Sequence, residues 1–416
     1  MRPLAASPQR REPLAASPTS ASRVGTRPKG AVILGGAHGT LALARSLAAQ
    51  GVEVWLVSND NPLPSWSRTI HRALAWPGPD DPAAAAFLLS AADRHGLRGF
   101  LLVPGADSDV RFVSQNADIL RDAYRIRLPD WDRLRWVCEK PLLYRRAEEL
   151  EISVPKTYRF GSTREAAEAL ISFPIVLKPN MGGGLSHLAR AKVIRVDDRA
   201  TFLELFEEAT SEIGPENIVV QELIPGGGEC QFSYAALWHE GAPVAEFAAR
   251  RTRQYPVEFG YTSTYVETFD EPQVITAARR ILGSIEHDGL VEVEFKRDRR
   301  DGSLKLLDVN PRPWSWFGLA AAAGVDLGAM ICATEAGLPV TPAAAPAGFA
   351  WMYLARDSAA AFKLLLSGRL ALGAYLRSFA KVRAWAVFSL ADPVPGLLDI
   401  PLTGWRVLIR RVLKLR

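Results

Sequence analysis

The sequence predicts an α/β protein of two or three domains, and three observations carry that reading. Residues 31–57 run from the apolar stretch Ala31-Val-Ile-Leu34 through the turn Gly35-Gly-Ala-His-Gly39 into a helical pattern. They leave it at Glu53-Val-Trp-Leu-Val57, the order of a parallel βαβ unit. Residues 291–313, VEVEFKRDRRDGSLKLLDVNPRP, alternate apolar and acidic side chains around Asp301-Gly302, as an antiparallel ribbon would. A chain of 416 residues is also long for one core.

The elements follow in order. Residues 1–27 repeat Pro-Leu-Ala-Ala-Ser-Pro and lack aromatics, so they read as a disordered tail without the apolar core of an export signal. Residues 28–127 form the βαβ domain, with a third strand at Gly99–Val103. Its glycine turn fails the dinucleotide pattern G-x-G-x-x-G, because Leu34 stands where the first glycine belongs. A tight turn, with an anion or substrate group at the helix start, is the better reading. Pro129 to Val154 has one apolar helical face, carrying Trp131, Leu134, Val137, Leu143 and Leu150. Phe173–Lys178 and Ile218–Glu222 read as strands, and residues 262–310 as strands around a helix at 273–286. Beyond 343 the pattern turns helical and basic.

Composition narrows the function. The net charge of +5 comes without a long like-charge run, so nucleic acid is not an expected partner. Cys138, Cys230 and Cys332 lie far apart, without metal-ligand spacing, and their odd number argues against a disulfide framework. A cytoplasmic protein is the simplest expectation. No apolar run reaches the ~18 residues of a spanning helix.

The ribbon holds the chemistry. A three-residue loop, Arg300-Asp301-Gly302, sets Glu294 opposite Asp308 and Glu292 opposite Asn310. Four oxygen ligands on one face suit a hard cation such as Mg²⁺. Lys178 ends an apolar strand just before Pro179-Asn-Met-Gly182-Gly183-Gly184, an arrangement for phosphate. Arg250, Arg251 and Arg253 make a cationic patch suited to carboxylates. Arg250 and Arg253 need a bend or bulge to share a strand face.

Five elements in order resemble the ATP-grasp superfamily over roughly residues 128–340. They are Cys-Glu-Lys140-Pro, Phe-Pro-Ile-Val-Leu-Lys178-Pro, the loop Met181–Gly184, Gln221-Glu222-Leu223-Ile-Pro with Glu229, and Glu294 with Asp308, Asn310 and Arg312. The resemblance implies an ATP-grasp domain at 128–342 with a lid subdomain at about 155–221. A Rossmann-like domain at 28–127 precedes it, and a mainly helical, basic extension at 343–416 follows. It implies ATP contacts from Lys140, Lys178, Gly182, Gly183, Gly184 and Gln221, with Glu222 and Leu223 at the adenine edge and Glu229 at the ribose. Glu294, Asp308 and Asn310 would hold Mg²⁺, or Mn²⁺ in its place, with Glu292 as an additional ligand. Arg312 would face the transferring phosphoryl group. Many relatives carry Glu where this chain has the shorter Asp308.

The implied activity is an ATP-dependent ligase that makes an acyl phosphate from a carboxylate and passes it to an amine, or to a thiol. The substrate would be an amino acid, a peptide or an envelope precursor. Arg250 and Arg253 would grip a carboxylate, since the block Arg-Gln-Tyr-Pro with Phe-Gly-Tyr-Thr-Ser is similar to carboxylate-amine ligases of the D-aspartate ligase type. The alternatives are a silent ATP-binding module and a dinucleotide-dependent oxidoreductase. Residues 405–416 form a basic amphipathic pattern that would meet the inner membrane surface or dock on the protein's own core.

Overall fold

The computed structural model describes residues 26–59, 62–180, 186–191, 193–257 and 262–407. Strands β1 (Gly30–Leu34), β2 (Glu53–Ser58), β3 (Ile70–Ala75) and β4 (Leu101–Pro104) form a parallel sheet in the order β3-β2-β1-β4. Helices α1 (His38–Ala49), α2 (Ala84–His95), α3 (Asp107–Gln115) and α4 (Ala117–Leu120) complete this domain. The glycine turn serves packing. Gly36 adopts φ +81°, and a Cβ on Gly39 would strike the Trp314 carbonyl, so α1 can approach the chain after the ribbon only without a side chain there.

The region expected as one helical run is two helices, α5 (Trp131–Cys138) and α6 (Lys140–Glu149), broken at the extended residue Glu139. Pro141 in the first turn of α6 suits a helix start, where its missing N–H has no intrahelical partner to lose. A small antiparallel sheet follows, from β5 (Thr157–Tyr158), β6 (Ile175–Pro179), β7 (Ile194–Val196) and β8 (Ile218–Glu222), in the order β5-β8-β6-β7. Helices α7 (Thr163–Glu168), α8 (His187–Ala191) and α9 (Arg199–Ile213) accompany it. Asp198 caps α9 by accepting from Thr201 N, and Gly214 ends it at φ +79°. Phe202 and Phe206 of α9 pack under Ile175, Leu177 and Val220. Each such buried ring contributes ~1.5–3 kcal/mol.

The largest sheet has eight strands. β9 (Gln231–His239), β10 (Ala242–Tyr255), β11 (Thr262–Thr268), β12 (Gly289–Arg297) and β13 (Leu304–Asn310) are joined by β14 (Ala343–Ala344), β15 (Ala350–Met352) and β16 (Val382–Trp385). The path runs β13-β12-β9-β10-β11-β15-β16, with β14 beside β10. Val293 and Phe295 share one apolar cluster with Val274, Ala278 and Ile281 of α10 (Pro272–Gly283). On the opposite face Ala235, Phe247 and Ala249 join Trp314, Trp316 and the α1 leucines, together with α11 (Gly318–Ala322) and α12 (Leu327–Glu335).

Residues 343–407 contain three helices, α13 (Leu354–Leu366), α14 (Leu372–Ser378) and α15 (Val394–Val407), but β14, β15 and β16 tie them into the large sheet. The segment is therefore integral to that sheet.

Candidate active site

The ribbon pairs as its alternation predicts: Glu294 faces Asp308, and Glu292 faces Asn310. The route to that register differs. The loop closes over four residues, 299–302, with Asp298 N donating to Ser303 O at 2.8 Å. A bulge at Leu307 takes up the extra residue, since Phe295 pairs with Leu306 while Glu294 pairs with Asp308. Tyr144 of α6 fixes the bulge by donating from its hydroxyl to Leu307 O at 3.0 Å.

Within this acidic face the four side chains sit in different surroundings. Glu292 is buried and accepts from Ser233 Oγ and Trp316 Nε1, both at 3.0 Å, and from Asn310 Nδ2 at 3.3 Å. Burial, with Glu294 beside it, pushes this carboxyl up to about 8. Glu294 and Asp308 are partly exposed. Asp308 meets Lys140 Nζ at 3.1 Å, and Glu294 meets Arg251 Nη2 at 3.3 Å.

The cations converge from the neighbouring elements. Lys140 opens α6, as its motif predicts, and is buried. Burial opposes its charge, but Asp308 outweighs that and holds the ammonium above its ordinary range. Lys178 near the end of β6 donates to Gln221 Oε1 at 3.0 Å, and Gln221 Nε2 donates to Thr157 Oγ1 at 3.1 Å. Burial, and then Lys140 alongside, bring Lys178 down to about 8. A cleft of about 300 Å³, counting space open to solvent, is lined by Asp107, Cys138, Lys140, Asp308, Asn310 and Pro311 among others.

Beyond Lys178 the hairpin loop reaches over the end of β8. Arg300 pairs with Glu222 at 2.5 Å, and Lys305 with the same carboxylate at 2.7 Å. Arg299 pairs with Glu229 at 2.7 Å. The Leu223 N–H, a donor expected for the adenine edge, instead donates to Pro174 O at 3.1 Å.

Arg312 lies where the motif puts it, two residues past Asn310, and its Nη2 donates to Asn310 Oδ1 at 3.1 Å. Its Nε donates to Asp107 Oδ1 at 2.5 Å. Asp107 opens α3 just beyond the carboxyl end of β4, beside β1 where the strand order reverses. Such switch points gather ligands, and that rule could have flagged Asp107 from the sequence.

The arginine patch corrects the expectation. The required bulge exists, since Arg251 pairs with Val266 and Arg253 with Tyr265, leaving Thr252 over. It does bring Arg250 and Arg253 to one face, but that face is the wrong one. Arg250 lies opposite Phe232, which lies opposite Phe295, so it points away from Glu294. Arg250 holds Glu267 at 2.6 Å. Arg253 is buried, with its fork on Asp357 at 2.8 and 2.9 Å and its guanidinium over the Tyr265 ring. Arg251 is the arginine that reaches the acids. Gly182, Gly183 and Gly184 lie outside the described residues, as do 258–261 and 408–416.

The chain is 24% identical over 306 residues to D-aspartate ligase of Enterococcus faecium, which is 68% of this chain and 70% of that protein. Its structure is similar to L-amino acid ligase from Bacillus licheniformis, with a TM-score of 0.58 and 16% identity, covering 74% of this chain and 75% of the other. The fold is that of the ATP-grasp superfamily. A further similar structure is the biotin carboxylase domain of 2-oxoglutarate carboxylase from Hydrogenobacter thermophilus, solved with MgADP, ADP and bicarbonate. It matches with a TM-score of 0.57 and 15% identity, over 77% of this chain and 72% of that one. No family model matches the chain. The D-aspartate ligase relationship is distant.

The donor set fits the cation expected of an ATP-grasp protein in one respect and limits it in another. Among the described residues no three His, Cys, Asp or Glu side chains gather closely enough to enclose a metal. Mg²⁺ needs no such cage, since it commonly takes one or two carboxylates and completes its octahedron with water and substrate phosphates. Glu294 and Asp308, opposed and partly exposed beside the Asn310 amide, offer that number.

Proposed function

We propose that the chain is an ATP- and Mg²⁺-dependent ligase that joins a carboxylate to an amine through an acyl phosphate. One observation carries this reading. Lys140 pairs at 3.1 Å with Asp308, and Lys178 stands close enough to Lys140, Asp308 and Glu294 for their charges to act on it, so cations suited to phosphate lie beside acids suited to a metal.

A substrate carboxylate oxygen attacks the γ-phosphorus of ATP, the bridging P–O bond breaks, and ADP leaves. The amine then attacks the acyl carbon, loses a proton and expels phosphate. Lys140 and Lys178 would hold the phosphates, and Lys178 with its value about 8 is largely cationic at neutral pH. Glu294, Asp308 and Asn310 would hold Mg²⁺, with Glu292 behind them. Bound there, Mg²⁺ would supply positive charge to offset that of the phosphates. Arg312, positioned by Asp107, would face the transferred phosphoryl group. Arg251 takes the role expected of Arg250 and Arg253 as the arginine beside the reacting groups. The Glu222 backbone would meet the adenine edge, and Glu229 would hold the ribose once Arg299 lets go. The amino-acid ligases that the chain resembles make an amino acid, D-aspartate first, the substrate class to try. The free cysteines fit a cytoplasmic enzyme.

The test is phosphate release from MgATP with D- and L-amino acids, singly and in pairs. The reading expects release that needs an amino-acid substrate and stops with a chelator. ATP binding without turnover on any pair would leave a nucleotide-binding protein in place of a ligase.

A further inference from the structure

Large apolar side chains are exposed unevenly over this molecule. Of the fourteen such exposures among the described residues, ten fall between Leu354 and Ile400. Phe362 and Leu366 sit one turn apart on α13, Leu372 and Leu376 one turn apart on α14, and Leu397 and Ile400 one turn apart on α15. Each of these six is 60–74% exposed.

Charge in the same segment is just as one-sided. Residues 354–416 contain eleven Lys and Arg, three Asp and no Glu. All three Asp are buried and held inside the protein. Asp357 takes the Arg253 fork, Asp392 takes Arg45 Nε at 2.8 Å and Ser67 Oγ at 2.6 Å, and Asp399 accepts from Tyr353 Oη at 3.1 Å. Lys363, Arg369, Arg377, Lys381 and Arg383 are exposed. The side chains that α13, α14 and α15 expose are therefore apolar or cationic with no acid among them, and of the nearby cations Lys381 pairs with Glu267 of β11 at 3.2 Å.

We propose that this surface docks on an anionic lipid membrane. Apolar side chains interleaved with cations and free of acids match an interface of acyl chains under negative headgroups. A second copy of the chain fits worse, because a two-fold contact of one face with itself would set cations against cations. The sequence beyond the described residues extends the same character, with four cations, five apolar residues and no acid in 408–416. No helix among the described residues is long and apolar enough to cross a membrane, so the contact is peripheral. Helix α13 packs on β10 and β11, where its Asp357 takes Arg253 and Thr264.

The test is cosedimentation of the full-length chain with phosphatidylcholine vesicles, with and without phosphatidylglycerol, at low and high salt. Binding is expected only with phosphatidylglycerol and is lost as salt rises, because screening shortens to ~10 Å by 0.1 M. Lys363→Glu with Arg377→Glu should weaken it by at least about 25-fold, about fivefold for each cation removed. Phe362→Ser with Leu366→Ser should weaken it with the charges intact. Melting temperatures near that of the parent chain would show that these exposed changes leave folding alone. Equal binding to both vesicle types, no binding, or full binding by the charge-reversed variant would overturn the proposal. A self-association removed by Phe362→Ser with Leu366→Ser, without vesicle binding, would overturn it too and assign the face to a second copy.

Discussion

Two neighbouring arginines have opposite fates, and substitution separates them. Arg253→Ala leaves Asp357 buried without its partner and should cost about 3–5 kcal/mol of stability, read as a lower melting temperature. Turnover per folded molecule should stay within a few-fold of the parent. Arg251→Met should do the reverse, lowering turnover tenfold or more while unfolding shifts little, because its partner Glu294 is partly solvated. Asp308→Asn should reduce phosphate release by orders of magnitude. It should also lower stability measurably, because Lys140 is buried against that carboxylate. Lys178 supplies a pH test. Its folded value near 8 lies below that of a free lysine, so it is charged below pH 8 and neutral above. ATP phosphates stay ionised across that range, so affinity should fall as pH rises from 7 to 9, by up to about tenfold per unit above 8. Calorimetric titration checks this, and Lys178→Arg should remove the dependence.

Among the elements, the acid ribbon was legible because strand alternation alone puts Glu292 and Glu294 on one face. Its four-residue loop and the Leu307 bulge were not, since each shifts the register by one and together they cancel. The parity of the arginines was hidden for a related reason. Which face Arg251 shares depends on its pairing with Gln231, a partner twenty residues away. Strand β3 was missed because it is a largely exposed edge strand with little apolar signal. The link between α10 and β12 carries its own prediction. His287 there is buried with its ring edge-on to Trp238, and burial lowers it to about 4. Unfolded histidine takes up its proton near 6.5, so the unfolded state binds more protons between those values and stability drops as pH falls from 6.5 to 4. The loss is up to about 3 kcal/mol. His287→Leu should flatten the melting temperature over that window, and an unchanged slope would remove His287 as the cause.

At the scale of the molecule, the cleft is shared property. Asp107 of the first domain lines it with Lys140 of α6 and Asp308 of the ribbon, and next to it Arg312 is held by Asp107 and Asn310. Asp107→Ala should therefore lower turnover through Arg312 while leaving ATP affinity within a few-fold, a split visible in kcat against nucleotide Kd. The late strands have a consequence for how the protein is made. Domains generally fold as units during synthesis, those nearest the N-terminus first. The large sheet cannot do so until its last strands leave the ribosome, because β15 and β16 lie at residues 350–385 and the counter-charge of Arg253 at 357. A nascent chain stopped before 350 would hold β11 as an open edge beside an unneutralised arginine, an invitation to pair with other chains. Such fragments should be captured by chaperones or aggregate.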